Sequence, residues 1–332
     1  MASRREGLLI LSRSEAERLM DFPAYVEAVE SGLRAEAEGR AVAPPASSLG
    51  VEGGAFHVKG GAVSLGDRLY VAIKSNGNFP GNPAQRGLPT VQGTIYLADG
   101  RDGRPLAVMD SIGVTIARTG AATAVAAKYL TPADARTVLI CGAGVQGRIQ
   151  LVAVKHACPI ARALIYDTNR EAAERLAREM AAELGIAADP APDLGVARDC
   201  NVIVTCTSSR RAFLTPDHVW PGTFIAAVGA DNADKQEIDP ALFPRSTVIV
   251  DNLEQCAEIG DLHHALEAGS FSRERVHASL VEIVAGRKPG RRSADEITLF
   301  DSTGLGLYDV AAAARLYERA LERGIGTYAS LT

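Results

Sequence analysis

Cys141-Gly142-Ala143-Gly144-Val145-Gln146-Gly147 is the most informative stretch of this chain. The stretch has G-x-G-x-x-G spacing and directly follows the apolar run Val138-Leu139-Ile140. The residues after it, Arg148 to Val154, suit a helix, and a second short apolar run, Ala163-Leu164-Ile165-Tyr166, ends in Asp167. Each glycine has a physical task. Gly142 permits a tight turn, Gly144 lets backbone N–H groups approach a pyrophosphate, and Gly147 lets helix and strand pack closely. The positive helix N-terminus points at the phosphates. Asp167 lies about 20 residues past Gly147, where a carboxylate accepts hydrogen bonds from a ribose diol. Strand, glycine turn, helix, strand and acid together predict a dinucleotide site, with Val145 and Gln146 at the helix start among its contacts.

The surrounding chain supports a Rossmann-type doubly wound parallel sheet. From about residue 134, apolar runs alternate with helical segments. Val138–Cys141, Ala163–Asp167, Val202–Cys206, Thr223–Val228, Thr247–Asp251 and Ile297–Asp301 read as strands, and 169–184 as one of the helices. Residues 187–192 read as a loop. The first third differs. Residues 14–38 have helical periodicity, and short strands then follow, clearest at 56–59, 69–74 and 93–97. The pieces 76–83 and 98–103 read as turns. Residues 113–130 form a small-residue helix around Thr119, able to approach another element or a cofactor closely. A last amphipathic helix, about 307–323, needs a partner surface, and the first domain is the natural one.

At 332 residues the chain is long enough for two domains. Its 47% hydrophobic and 23% charged residues place it among globular proteins. Net charge is −5 and no basic block stands out, so nucleic acid is not an expected partner. Leu8–Leu11 is too short an apolar run for a signal peptide or a membrane span, which predicts a cytoplasmic protein. The five cysteines have no C-x-x-C spacing and read as buried free thiols.

Three charged residues stand in apolar or small surroundings: Lys74 at the end of Leu69–Ile73, Arg118 in Val114–Thr119, and Asp231 after Phe224–Gly229. Ligands bind beyond the carboxyl ends of strands in such sheets, which sets Asp231 on the nicotinamide side. Thr207 and Val228, also at strand ends, are further expected cofactor contacts. Alone, each charged residue has a plain alternative: an edge-strand lysine with its amine in water, a structural helix arginine, a turn-capping aspartate. Together they suit an amino or imino acid. Arg118 offers a bidentate fork to its carboxylate. Asp231 can move a proton at a C–N centre, and Lys74 can offset charge or tune Asp231. His57 and Lys59 share a strand face that is either solvent or substrate pocket. His263 and His264 are adjacent on a helix and so point about 100° apart, which predicts no shared metal.

These residues, taken in order, resemble the ornithine cyclodeaminase and mu-crystallin family along nearly the whole chain. The resemblance is carried by Lys74, Pro89-Thr90-Val91-Gln92-Gly93, Ala117-Arg118-Thr119-Gly120-Ala121-Ala122 and the glycine fingerprint. It continues through Gly229-Ala230-Asp231 with Lys235 and Glu237, and Asp301-Ser302-Thr303-Gly304. It implies a homodimer with a smaller α+β dimerisation and substrate domain, 1–120 with 308–332, a Rossmann domain over 121–307, and a catalytic cleft between them. It implies that Arg118 and Lys74 hold the substrate carboxylate and that Asp231 handles protons.

Activities in the family range over ornithine cyclodeaminase, alanine dehydrogenase, ketimine or pyrroline-2-carboxylate reductase, iminosuccinate reductase and a crystallin that binds NADPH and thyroid hormone. The cyclodeaminases usually carry an arginine after a proline and then a Met-Pro pair at a strand end. Here Ala43-Pro44-Pro45-Ala46-Ser47 lacks the arginine, and Gly54–Gly61 replaces the Met-Pro strand. The substrate cations become Arg118, Lys74 and Lys59. The expectation is an NAD(H)-dependent reductase or dehydrogenase at a C–N bond. A cyclodeaminase and a non-catalytic ligand-binding crystallin are the alternatives. Asp167 favours NAD(H); Arg170 leaves NADP(H) possible.

Overall fold

The structure, a computed structural model, describes residues 7–331. They divide into two compact units. One runs as far as Ala121 and resumes at Leu305; the other is Ala122–Gly304. Among the described residues no helix is long and apolar enough to cross a membrane.

The second unit is built on an eight-stranded, wholly parallel sheet. Its order is Ala187–Pro190, Arg162–Tyr166, Thr137–Cys141, Val202–Thr205, Phe224–Ala227, Thr298–Asp301, Thr247–Val250 and Ala278–Ser279. The chain winds outward from Thr137–Cys141 through two strands, then returns to that strand's other side. Thr137–Cys141 and Val202–Thr205 therefore flank the switch point where such sheets open a crevice. The inner strands are buried along their whole length, as parallel strands covered on both faces must be. Leu139, Ile203, Ile225 and Leu299 form part of one continuous apolar core.

Six of these strands coincide with the apolar runs of the sequence to within a residue or so. Ala187–Pro190 corrects the expected loop at 187–192. It is a short edge strand ending in proline, and its weak apolar pattern reflects having a partner on one side only. A two-stranded parallel sheet, Arg210–Leu214 with Gln236–Ile238, is an addition that no periodicity announced.

The first unit is an eight-stranded, mostly antiparallel sheet. Its long central strands are Gly54–Leu65, Arg68–Asn78 and Val91–Asp99. The expected turn at 76–83 begins later. Asn76, Gly77 and Asn78 still pair with neighbours on both sides, and pairing overrides their turn propensity. Likewise Ala98 and Asp99 end a strand rather than begin a turn. The helical stretch at 14–38 is two helices, Arg13–Leu19 and Phe22–Ala37. Asp21 accepts the Ala24 N–H and Pro23 lies in the first turn, a standard start signal.

The helix Gly306–Arg323 packs on Phe22–Ala37 and on the three central strands, which is the partner surface its apolar face required. The approach is close. A Cβ at Gly306 would collide with the Gly60 carbonyl, so glycine there lets the helix start lie against the strand backbone.

Candidate active-site elements

The glycine fingerprint lies at the carboxyl end of Thr137–Cys141 and opens the helix Val145–Ala157. Gly142 has φ +113°, a conformation that L side chains rarely adopt. A Cβ at Gly147 would collide with the Gly142 carbonyl, so the third glycine lets helix and turn pack. Gly144 is different. A Cβ there would meet no protein atom within 4 Å. Packing does not explain that glycine, whereas a phosphate group seated against the backbone would. Val145, at the helix start, is 61% exposed, and the buried Gln146 Oε1 has no hydrogen-bond partner. Asp167 accepts the Ala143 N–H at 2.7 Å and the Asn169 N–H at 2.8 Å, tying the second strand end to the glycine turn. These residues suit a dinucleotide.

Two neighbouring strands, Val202–Thr205 and Phe224–Ala227, carry the loops with Thr207, Val228 and Asp231. Asp231 is exposed, and its Oδ1 accepts from Lys235 Nζ at 2.7 Å. Lys235 Nζ also donates to the Gly229 carbonyl at 3.2 Å. Asp231 is thus held by a cation four residues on, rather than capping a helix. Thr207 gives its N–H (2.6 Å) and its hydroxyl (2.7 Å) to Glu237 Oε1. Glu237 is fully buried, and burial, then the neighbouring Asp261 charge, pushes its carboxyl up to about 7. No local pattern around Glu237 marks it for this role; it stands in the sequence only as one of the residues that carry the family resemblance.

In the first unit, Lys74 is not an edge lysine. It sits mid-strand in Arg68–Asn78, paired with Lys59 on one side and Ile95 on the other, and is 3% exposed. Arg118, on the helix Ser111–Leu130, is equally buried. Both meet Asp309, which sequence reasoning missed. Lys74 Nζ lies 2.7 Å from Asp309 Oδ2, and Arg118 Nε lies 2.9 Å from Oδ1. Burial, then the Arg118 charge, brings the Lys74 amine down to about 7, with Asp309 only partly opposing. Burial raises the Asp309 carboxyl, but Arg118 and Lys74 outweigh it and hold it below its ordinary value. A signal was present: Asp309 is the only charged residue in the apolar stretch Leu305–Ala314. Lys59 is half-buried on the neighbouring strand and adds to the positive field on Asp309. Thr119 spends its hydroxyl on the Thr115 carbonyl, within its own helix.

His263 and His264 do not diverge as expected from their helical spacing. Their rings stand 5.0 Å apart, edge to face, and with Glu267 they bring ligand-type atoms within 4.8 Å of one another. The reason lies in their acceptors. His264 Nε2 donates to the Lys235 carbonyl at 2.8 Å and His263 Nδ1 to the Ala257 carbonyl at 3.3 Å, which turns the two rings toward each other. The five cysteines are free thiols, four of them buried, as their apolar settings implied.

The chain is similar to known proteins along nearly its whole length. The chain is 38% identical over 321 residues to an alanine dehydrogenase from Archaeoglobus fulgidus, covering 96% of this chain and 97% of that protein. An archaeal alanine dehydrogenase dimer with bound NAD superposes with a TM-score of 0.93 at 37% identity, covering 98% and 100% of the two chains. The Δ1-pyrroline-2-carboxylate reductase of Thermococcus litoralis, in complex with NADH and L-proline, gives a TM-score of 0.92 at 35% identity, covering 97% and 100%. The ornithine cyclodeaminase/mu-crystallin family model matches residues 7–324, and the chain belongs to that family.

Proposed function

We propose that this chain is an NAD(H)-dependent oxidoreductase acting at the C–N bond of a small amino or imino acid, as an imine reductase or amino-acid dehydrogenase. The observation that carries the reading is the buried cluster in which Lys74 and Arg118 share the single carboxylate of Asp309. Two cations on one anion leave positive charge out of water, and a substrate carboxylate is the group that would balance it. Arg118 takes that carboxylate through its guanidinium fork. Lys74, with Lys59 beside it, adds charge. Asp231 gives a proton to the substrate nitrogen or takes one from it, with Lys235 paired to its carboxylate.

In the nucleotide-binding unit, the N–H groups at the start of Val145–Ala157 take the pyrophosphate, with Gly144 clearing its path, Gly142 and Gly147 shaping the turn, and Gln146 in the first helical turn beside it. Asp167 accepts from the ribose hydroxyls, and Thr207 and Val228 complete the contacts of this unit. When bound, the nicotinamide supplies or accepts the hydride. The likeness to an NAD-bound dimer supports the same cofactor and a homodimeric assembly, and the free thiols suit a cytoplasmic protein.

The test is NADH oxidation with imines formed from ammonia or methylamine and pyruvate, glyoxylate or oxaloacetate, and with cyclic ketimines. Turnover of at least one is expected. Loss of ammonia from ornithine without net NADH change, and no imine reduction, would replace this reading by cyclodeamination.

A further inference from the structure

Three of the buried acids in the second unit that the reaction above does not use, Glu237, Asp261 and Asp301, are fully removed from solvent. They are linked through the backbone. Asp301 accepts the N–H groups of Asp261 (3.3 Å) and Leu262 (2.9 Å). Asp261 Oδ1 in turn accepts those of Glu237 (2.8 Å) and Ile238 (2.9 Å). Glu237 then accepts Thr207 N–H and hydroxyl on Oε1, and the Gly229 N–H on Oε2 at 3.0 Å. The chain of braces closes on itself, because Asp301 is the sheet partner of Ala227, two residues before Gly229. Each carboxylate thus grips the residue that carries the next one. The last grips the two loops that follow adjacent strands.

Burying three acids together is costly. Burial, then mutual repulsion, raises Glu237 and Asp301 above ordinary carboxyls, and burial raises Asp261 to about 6. A fold that needed only an apolar plug would not place them here. The structure also gives up a side chain to make room. A Cβ at Gly229 would collide with the Glu237 carboxylate, although the Gly229 backbone is not in the left-handed region. Nor will an amide serve in place of the acid. Glu237 Oε1 and Oε2 each face a fixed backbone donor, so one end of a glutamine would set N–H against N–H.

We infer that Glu237 is a positioning residue: by gripping Gly229 and Thr207, it fixes the turn that presents Asp231. The role of that turn in turnover rests on the function proposed above; the grip itself does not.

Glu237→Gln separates the two. Hydrogen–deuterium exchange on the full chain needs no substrate. Exchange over 206–209 and 227–233 is expected to quicken about tenfold or more, with the other sheet strands unchanged. Unchanged exchange, or a uniform increase across the unit, overturns the inference. With an imine that the wild type reduces, kcat should fall about tenfold or more, yet less than twofold when Asp231→Asn is already present, because coupled residues are not additive. An equal loss in both backgrounds refutes action through Asp231. Should Glu237→Gln fail to fold, Gly229→Ala pushes the same carboxylate aside and is read identically. A wild type inactive on every imine counts against the proposed function, while the exchange result still decides the grip.

Discussion

Lys74 and Asp309 form an ion pair of 2.7 Å with both side chains buried, and Asp309 reaches Arg118 through its other oxygen. An exposed pair of this kind contributes little, but a buried one cannot lose a partner cheaply. Asp309→Asn keeps the shape and leaves two cations facing a neutral amide. The expected loss is about 3–5 kcal/mol of folding stability, measured by urea unfolding. A loss under about 1 kcal/mol would mean that the cluster is wetter or looser than the structure describes.

The pH dependence follows from the same cluster. Burial and Arg118 bring Lys74 down to about 7, so in the free protein its charge disappears as pH rises through that value. If the cation helps to hold substrate carboxylate, kcat/KM for a preformed cyclic imine falls above about pH 7. That limb should vanish in Lys74→Met, which should also be slower at pH 6. Stability has the opposite sign. A lysine whose folded value lies below its ordinary 10.5 contributes fully above 10.5, and that contribution is lost as pH falls toward 7. The same Lys74→Met variant should therefore gain relative to wild type as pH is lowered from 10 to 7.

Arg118→Ala tests carboxylate recognition. A charge-assisted hydrogen bond is worth about 1.5–3 kcal/mol, so kcat/KM should drop roughly tenfold to a hundredfold or beyond, mostly through KM. NADH affinity, read from nicotinamide fluorescence, should be nearly unchanged. Lost NADH binding with an unaltered KM would move Arg118 to the cofactor.

Asp231→Asn removes proton transfer while keeping size. A fall in kcat of about a hundredfold or more is expected, with NADH binding retained. Near-normal turnover would reduce Asp231 to the ion pair with Lys235 and return the ligand-binding crystallin reading to consideration.

Asp167→Ser tests cofactor choice. A carboxylate repels a 2′-phosphate and accepts from the free diol, so the wild type should prefer NADH and the variant should lose that preference. Because Asp167 also accepts the Ala143 N–H, some loss of affinity for both cofactors is expected as well. Equal efficiency of the wild type with NADH and NADPH would refute the assignment.

The part of the protein legible before folding is the part written in short-range pattern. The glycine fingerprint, the apolar run before it and Asp167 lie within one strand–helix–strand unit, where steric and hydrogen-bonding demands act between near neighbours. Gly147 is explained by the Gly142 carbonyl in the same turn, and Gly142 by its own backbone, at φ +113°. Lys74, Arg118 and Asp231 stood out because each is a charge in an apolar or small setting, which is again a local signal.

The rest follows from packing between distant segments. Lys74 became a buried central-strand lysine only because strands paired on both its sides. Its counter-ion Asp309 arrives from the last helix, which Gly306 lets settle on the Gly60 backbone. Glu237 joins Thr207 to Gly229 across loops from different strands, and the two histidine rings turn together because carbonyls outside their helix capture them. In each case burial and a distant partner set the charge and position of the group. Those depend on how segments far apart in the chain pack, and no window of neighbouring residues contains them.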